Sequence, residues 1–249
     1  MEEGNTTGTC KNCGETATFS ITPATGIHNI KWVMTNTGYP GTSTSNCTMC
    51  GTLDSEPARN TIIGDMGPAG GIIFFISATN TGFTVTGLTG VNGAFDTYTA
   101  YFLEAAPSDE PASVPWGPEN YISVMTTITS SSFTESDLTT SFGKGRRDTV
   151  LINNAFSSLS GTNRAAQLCA NKTVVFDGVE YKDWFLPSIG ELNELRNRTG
   201  YNFLASSSGV FYWSSTQGGT GTAWEMSATG PRSNNARSTP NRVRAVRAF

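Results

Sequence analysis

The sequence predicts an α+β chain of short antiparallel strands, long connections and a few flanking helices, preceded by a small cysteine-clamped β module. Three observations predict it. Hydrophobic residues make up 37% of 249, enough to bury a sizeable core and to argue against disorder of the chain as a whole. Charged residues make up only 14% while Gly, Ser, Thr and Asn abound, which suits short strands joined by turns better than a helical bundle. Four of the five cysteines fall in two equally spaced pairs near the N-terminus.

Those pairs are Cys10-Lys-Asn-Cys13-Gly14 and Cys47-Thr-Met-Cys50-Gly51. A C-x-x-C-G knuckle turns two thiolates toward one tetrahedral metal, and the glycine after it can take positive φ so that backbone amides face the sulfurs. Between the knuckles, TATFSIT (16–22) and IKWVMTN (30–36) alternate like strands. Paired as a hairpin, they would bring Cys10, Cys13, Cys47 and Cys50 around one structural zinc, as in a zinc ribbon. Disulfides, within or across the pairs, compete with zinc and would suit an extracellular protein. A redox-active C-x-x-C would open a helix after a strand, which neither pair does. With four thiolates available, His28 reads as a surface or hairpin residue. Either cross-link clamps a module, residues 1–60 including the linker GTLDSEPARN (51–60), that is too small to stabilise itself.

Residues 61–249 read as one larger domain. GIIFFIS (71–77) is a continuous apolar strand, followed by strands at FTVTG (83–87) and YFLEAAP (101–107). Asp148 is placed to cap a helix over TVLINNAFSSL, and Asn163 to cap RAAQLCAN, whose Ala165, Leu168 and Cys169 share one face. Cys169 reads as a buried core thiol. DWFLPSIGELNELRNR (183–198) gives an apolar strand, a proline and a helix opened by the capping box of Ser188 and Glu191, so Glu191 reads as a cap rather than a catalytic acid. VFYWSS (210–215), TAWEMS (222–227) and NRVRAVRAF (241–249) read as strands of an antiparallel sheet. Trp184, Phe185 and Tyr212 read as core, with Trp213 and Trp224 the candidates for partial exposure.

Taken in order, IGDMGPAGGIIFFIS, YFLEAAP, GKGRRDT, AAQLC, DWFLPSIGELNEL, YWSST, AW and the terminal VRAVRAF resemble bacterial and phage domains with a C-type-lectin-like fold. These include the C-terminal domain of a collagen-like adhesin and the variable proteins of diversity-generating retroelements, related in fold to formylglycine-generating enzymes. The resemblance covers residues 61–249 and leaves the cysteine module outside. It implies an α+β domain whose terminal strands pair, whose helices flank the sheet, and whose long C-terminal loops present a ligand. It also implies an adhesin or receptor-binding protein, often trimeric.

The segment from Thr216 to Asn241 fits that implication. Of its 26 residues, 22 are Gly, Ala, Ser, Thr, Asn, Pro or Arg, all reachable by changing the adenines of an AAC codon, the trace that adenine-directed mutagenesis would leave. An ordinary polar surface loop also favours Gly, Ser, Asn and Pro. As a display surface, the segment and its border offer Arg232, Arg237 and Arg242 as planar cationic forks. Asn234, Asn235, Ser238 and Asn241 are adaptable hydrogen-bonding groups, and Trp224 is an aromatic anchor. Thr216, Gln217, Thr220, Thr222 and Glu225 complete the candidate ligand-binding set. Arg244 and Arg247 are expected in sheet-edge salt bridges instead.

The formal net charge of −4 gives no general nucleic-acid footprint, yet from Leu195 onward there are seven Arg, no Lys or Asp, and one acid, Glu225. That local excess favours an anionic host polysaccharide over a protein receptor and predicts salt-sensitive binding. Catalytic groups are scarce. The only histidine, His28, lies in the small module, which excludes a Ser-His-Asp or Cys-His site in the large domain. GDMGPAGG precedes a strand, the wrong order for a dinucleotide fingerprint. Glu104, Asp109, Asp183 and Glu225 are loose glycosidase candidates that no pattern positions. The resemblance carries over neither activity of its relatives. Formylglycine generation needs paired cysteines where this domain has only Cys169, and the calcium motifs of sugar-binding C-type lectins are missing from the C-terminal half.

No basic, then apolar, leader follows Met1, and no run of about 18 apolar residues offers a membrane anchor. The expectation is therefore a non-enzymatic phage virion protein, on a tail fibre or surface. It would be docked to other virion proteins through its N-terminal module and would form a homo-oligomer, possibly a trimer, that gains avidity. The alternatives are a structural decoration protein without a host ligand, and a cellular surface adhesin whose export signal lies upstream.

Overall fold

Strands flank each C-x-x-C pair. Strand β1 (Asn5–Thr9) runs antiparallel to β2 (Thr16–Ser20), with Asn5 opposite Ser20 and Thr9 opposite Thr16. Residues 10–15, which join them, contain Cys10 and Cys13. Strand β3 (Ser45–Asn46) pairs antiparallel with β4 (Leu53–Asp54), and residues 47–52 between them contain Cys47 and Cys50. The described partner of the 16–20 strand is thus Asn5–Thr9.

The computed structural model describes residues 63–78, 81–117, 122, 125–129, 134–156, 164–198, 203–205, 209–229 and 231–249, together with the backbone of β1 to β4. The four paired cysteines, His28 and residues 30–36 lie outside the described residues. Two compact units divide the chain, Met1–Thr61 and Ile62–Phe249.

The second unit is mixed α+β. It contains β5 (Ile72–Ile76), β6 (Phe83–Val85), β7 (Tyr98–Ala100), β8 (Phe102–Ala105), α1 (Glu135–Ser141), α2 (Gly145–Phe156) and α3 (Ala165–Asn171). Beyond them come β9 (Val174–Phe176), β10 (Val179–Tyr181), α4 (Ile189–Asn197), β11 (Phe211–Gly219), β12 (Thr222–Ser227), β13 (Arg232–Ala236) and β14 (Val246–Ala248). Every strand pairing is antiparallel: two three-stranded sheets, ordered β14-β8-β5 and β11-β12-β13, and the hairpins β6–β7 and β9–β10.

The first of those sheets joins the two ends of the unit, since β5 and β14 both pair with β8. A buried ionic network fastens it. Glu104 of β8 accepts from the backbone N–H of Gly71 at 2.7 Å and Ala69 at 3.1 Å, and from Arg247 Nη1 at 3.1 Å. Arg247 also bonds both carboxylate oxygens of Asp183, at 2.9 and 3.0 Å, while its guanidinium lies over the rings of Tyr181 and Phe249. Arg244 pairs with Asp109 at 2.8 Å. Both arginines are therefore in the expected salt bridges.

The core has two parts, divided by strands that bury both faces. Along β11, Trp213 packs with Ile152 of α2 and Ala165, Ala166 and Cys169 of α3, whereas Tyr212 packs with Ile189, Leu192 and Leu195 of α4. Trp184, Phe185 and Leu186 alternate in the same way. Cys169 is buried and free, and burial holds its thiol well above the ordinary range, so it is an inert core group.

Helix α4 starts as expected, with Ser188 Oγ accepting from the Glu191 N–H while Glu191 accepts from the Ser188 N–H at 2.7 Å. Its Gly190 lets α1 cross closely, because a Cβ there would come within 2.2 Å of the Leu138 carbonyl oxygen. The other helix starts differ from expectation. Helix α2 begins at Gly145, so Asp148 lies in its first turn, buried, accepting from Arg147 and from the Thr126 N–H. Arg164, not Asn163, occupies the N-cap of α3. The terminal strand spans only Val246–Ala248. It belongs to the β14-β8-β5 sheet and does not join β11 and β12 in one antiparallel sheet as expected; upstream, Asn241 bridges to Val114 and Arg242 makes a parallel bridge to Tyr212 of β11.

Candidate ligand-binding surface

The polar segment 216–241 is built mainly as sheet, not as display loops. Strand β11 runs on to Gly219, with register shifts between Trp213 and Gln217 and again between Gln217 and Gly219. Strand β12 pairs with it on one side and with β13 on the other, where Trp224 faces Asn234 and Met226 faces Arg232. The polar composition of β13 follows from its place, because it is the edge strand and keeps Asn234 and Ala236 exposed.

Three tryptophans brace this sheet by tying it to residues 114–116 and 128. The indole N–H groups of Trp213, Trp224 and Trp116 donate to the carbonyls of Val114 at 3.0 Å, Ile128 at 2.9 Å and Ser214 at 2.7 Å. Trp213 and Trp224 are thus buried, at 0% and 4% exposure, and neither is partly exposed or an open aromatic anchor. Satisfying each indole N–H is what permits such burial.

Six of the thirteen sequence-predicted ligand residues turn out to be interior: Thr216, Gln217, Trp224, Glu225, Arg237 and Asn241. Thr216 Oγ1 accepts from the Ile189 N–H at 3.1 Å and so helps seat the start of α4. Gln217 holds the brace, with its Oε1 accepting from the Ile122 N–H and its Nε2 donating to the Ile122 carbonyl at 2.8 Å and to Thr127 Oγ1 at 2.6 Å. Arg237 donates to Gln217 Oε1 at 2.7 Å, the Gly219 carbonyl at 2.8 Å and the Thr222 carbonyl at 3.0 Å, and its guanidinium stacks 4.3 Å from the Trp116 ring centre. Burial lowers its pKa to about 10, so it stays charged at neutral pH. These residues form a clamp beneath the sheet and cannot touch an external ligand as they stand.

The sheet also brings a second group together. The buried Glu225 carboxylate accepts from Ser233 Oγ at 2.6 Å, from Asn235 Nδ2 at 3.1 and 3.2 Å, and from Asn241 Nδ2. These donors are neutral amides and a hydroxyl, and the β12–β13 register that sets Glu225 opposite Ser233 brings Ser233 and Asn235 to it. Composition does not identify Ser233 as a partner, although its position two residues before Asn235 on a strand was a legible signal.

The remaining predicted residues lie at the surface. Thr220, Asn234, Ser238 and Arg242 are exposed, and Thr222, Arg232 and Asn235 are half-buried. Asn234 lies over Gly218, where a Cβ would come within 2.0 Å of its Oδ1. Arg242 pairs with Asp109 at 3.1 Å and Arg232 with Glu135 at 3.3 Å. Asp109 also accepts from the Tyr212 hydroxyl at 2.7 Å. All four loose glycosidase candidates are thus engaged: Glu104 and Asp183 by Arg247, Asp109 by Arg242 and Arg244, Glu225 by its amide cluster.

Among the described residues no group of three His, Cys, Asp or Glu side chains is placed to hold a metal ion, and no helix is long and apolar enough to cross a membrane. No protein-family model and no curated protein matches the chain.

Proposed function

We propose that residues 62–249 form a non-enzymatic ligand-binding domain of C-type-lectin-like architecture. Its recognition surface is the exposed rim of the β11–β13 sheet: Thr220, Asn234, Ser238 and Arg242, with the outer parts of Arg232 and Asn235. The observation that carries this is the division of one polar segment between buried residues, Gln217, Glu225, Arg237 and Asn241, and exposed ones, Thr220, Asn234, Ser238 and Arg242. A rigid support beneath adaptable small polar groups is what a recognition surface requires. The architecture is supported by the pairing of β5 and β14 on β8, with helices on both sides of the β11–β12 strands. The ligand is an anionic polysaccharide or a protein on a host surface, and the whole chain acts as a phage virion adhesin, with oligomerisation multiplying a weak single-site affinity.

In the first unit the four cysteines hold a structural zinc. Support comes from the paired strands on either side of each C-x-x-C, the setting in which two hairpin turns present four sulfurs. Metal analysis of the reduced chain is expected to find one zinc, lost with the secondary structure of that unit on chelation.

The experiment that tests the adhesin reading is sequencing of the same gene from sibling isolates. Variation is expected at Thr220, Asn234, Ala236, Ser238 and Arg242, with Gln217, Glu225, Arg237 and Asn241 fixed. Variation spread evenly over the second unit would overturn it in favour of a structural virion component.

A further inference from the structure

A groove of about 440 Å³ opens between β5, β6, α1 and α4, and its Glu135 reaches Arg232 of β13. Its apolar floor is a cluster of three rings. Phe75 meets Phe83 at 5.5 Å and 88°, Phe142 meets Phe75 at 4.8 Å and 55°, and Phe142 meets Phe83 at 5.1 Å and 65°. All three stay half-buried, so part of each ring still faces the groove.

The polar lining has one sign of charge. Glu135 from α1 and Glu194 from α4 line the groove, with Asn193 beside them and no Lys or Arg among the lining residues. Each carboxylate meets an arginine through one oxygen, Glu135 to Arg232 at 3.3 Å and Glu194 to Arg198 at 2.9 Å. The Glu135 side chain is nonetheless 84% exposed, and such surface pairs exchange readily with other cations. Aromatic faces and carboxylates share a preference for positive charge, the rings through their quadrupole and the carboxylates through charge-assisted hydrogen bonds. The groove has the size of a small-molecule site.

We propose that this groove binds a free organic cation, an ammonium or guanidinium group on an apolar stem. The stem packs on Phe75, Phe83 and Phe142, and the charged head is taken by Glu135 and Glu194. The assignment rests on the groove's own lining and not on the surface ligand proposed above, although Glu135 shares Arg232 with that rim.

Calorimetric titration of the full chain with phenethylammonium, and with 3-phenylpropionate as its anionic counterpart at equal ionic strength, tests this directly. The cation is expected to bind one site per chain in the range of about a millimolar or tighter, and the anion not to bind. Glu194→Gln and Glu135→Gln are each expected to weaken the cation about tenfold, the loss of a charged acceptor. Phe142→Leu, which keeps an apolar floor but removes one ring, is expected to weaken it about threefold. Unchanged melting temperatures of the two glutamine variants would establish that the losses are local. Equal binding of the two probes, no binding of the cation, or full affinity in the Glu135→Gln/Glu194→Gln double variant would each overturn the proposal.

Discussion

The sheet that joins the ends of the second unit and the sheet that carries the polar segment both bury a glutamate, but they satisfy it by different chemistry. Glu104 in β8 is held by a cation, Arg247, and by two backbone N–H groups. Burial still raises its pKa, with Arg247 the main opposing influence. Glu225 in β12 is held by Ser233, Asn235 and Asn241, each a short neutral side chain. The first arrangement is a lock, since removing either charge strands the other in the interior. The second spreads the same task over several donors, of which Ser233 and Asn235 lie half-buried at the sheet edge. The β13 edge is thereby supported without a single indispensable ion pair.

The largest expected effect breaks the lock. Arg247→Met should cost about 3–5 kcal/mol in denaturant unfolding, because Glu104 and Asp183 both lose their cation. Adding Glu104→Gln should recover part of that loss, since the Gly71 N–H keeps an acceptor.

Glu191 is a third buried glutamate and sharpens the contrast through pH. Burial raises its pKa to about 7 despite hydrogen bonds from the backbone at Ser188, Gly145 and Gly143. Its folded pKa is above the ordinary value of 4.5, so the protonated form is the one that favours folding. Its stabilising contribution is full below about pH 4.5 and is lost as pH rises toward 7, on the order of 3 kcal/mol in all. Glu191→Gln should flatten unfolding free energy over that window, and an unchanged slope would place the titration elsewhere.

Next in size is the clamp. Arg237→Ala should cost about 2–3 kcal/mol, since it removes one of the two donors to Gln217 Oε1, the side-chain donor to two carbonyls, and the stack on Trp116. Urea midpoints would show it. Glu225→Gln should cost about 1–2 kcal/mol, because an amide can accept from only part of the cluster. Smallest are the rim changes. Asn234→Ala and Ser238→Ala should stay within about 0.5 kcal/mol, as exposed side chains away from special features do.

The sequence makes much of the frame legible, because its signals are local. The apolar run GIIFFIS became β5, TAWEMS became β12 over the same six residues, and the Ser188–Glu191 box opened α4. The Asp177-Gly178 turn between VVF and VEY is equally readable, with both residues at positive φ as a tight hairpin requires. Helix α1 has a Thr134–Asp137 capping box but buries only Leu138 and Ser141, too thin a stripe to show as periodicity.

The surface was legible as a region and misjudged residue by residue. Polar composition locates 216–241 but says nothing about which members turn inward. That depends on β11 pairing onward to Gly219 and on segment 114–128 arriving beneath, a contact nearly a hundred residues away in sequence. Arg237 and Gln217 look like display residues by type and are interior because they bond each other and the backbone of Ile122, Gly219 and Thr222.

The most direct test of this division is saturation substitution at Gln217, Glu225, Arg237 and Asn241 beside Thr220, Asn234, Ala236 and Ser238, with the folded fraction read by protease resistance. Most substitutions at the second set are expected to fold and most at the first to fail. Equal tolerance at both sets would contradict a rigid clamp beneath an adaptable surface.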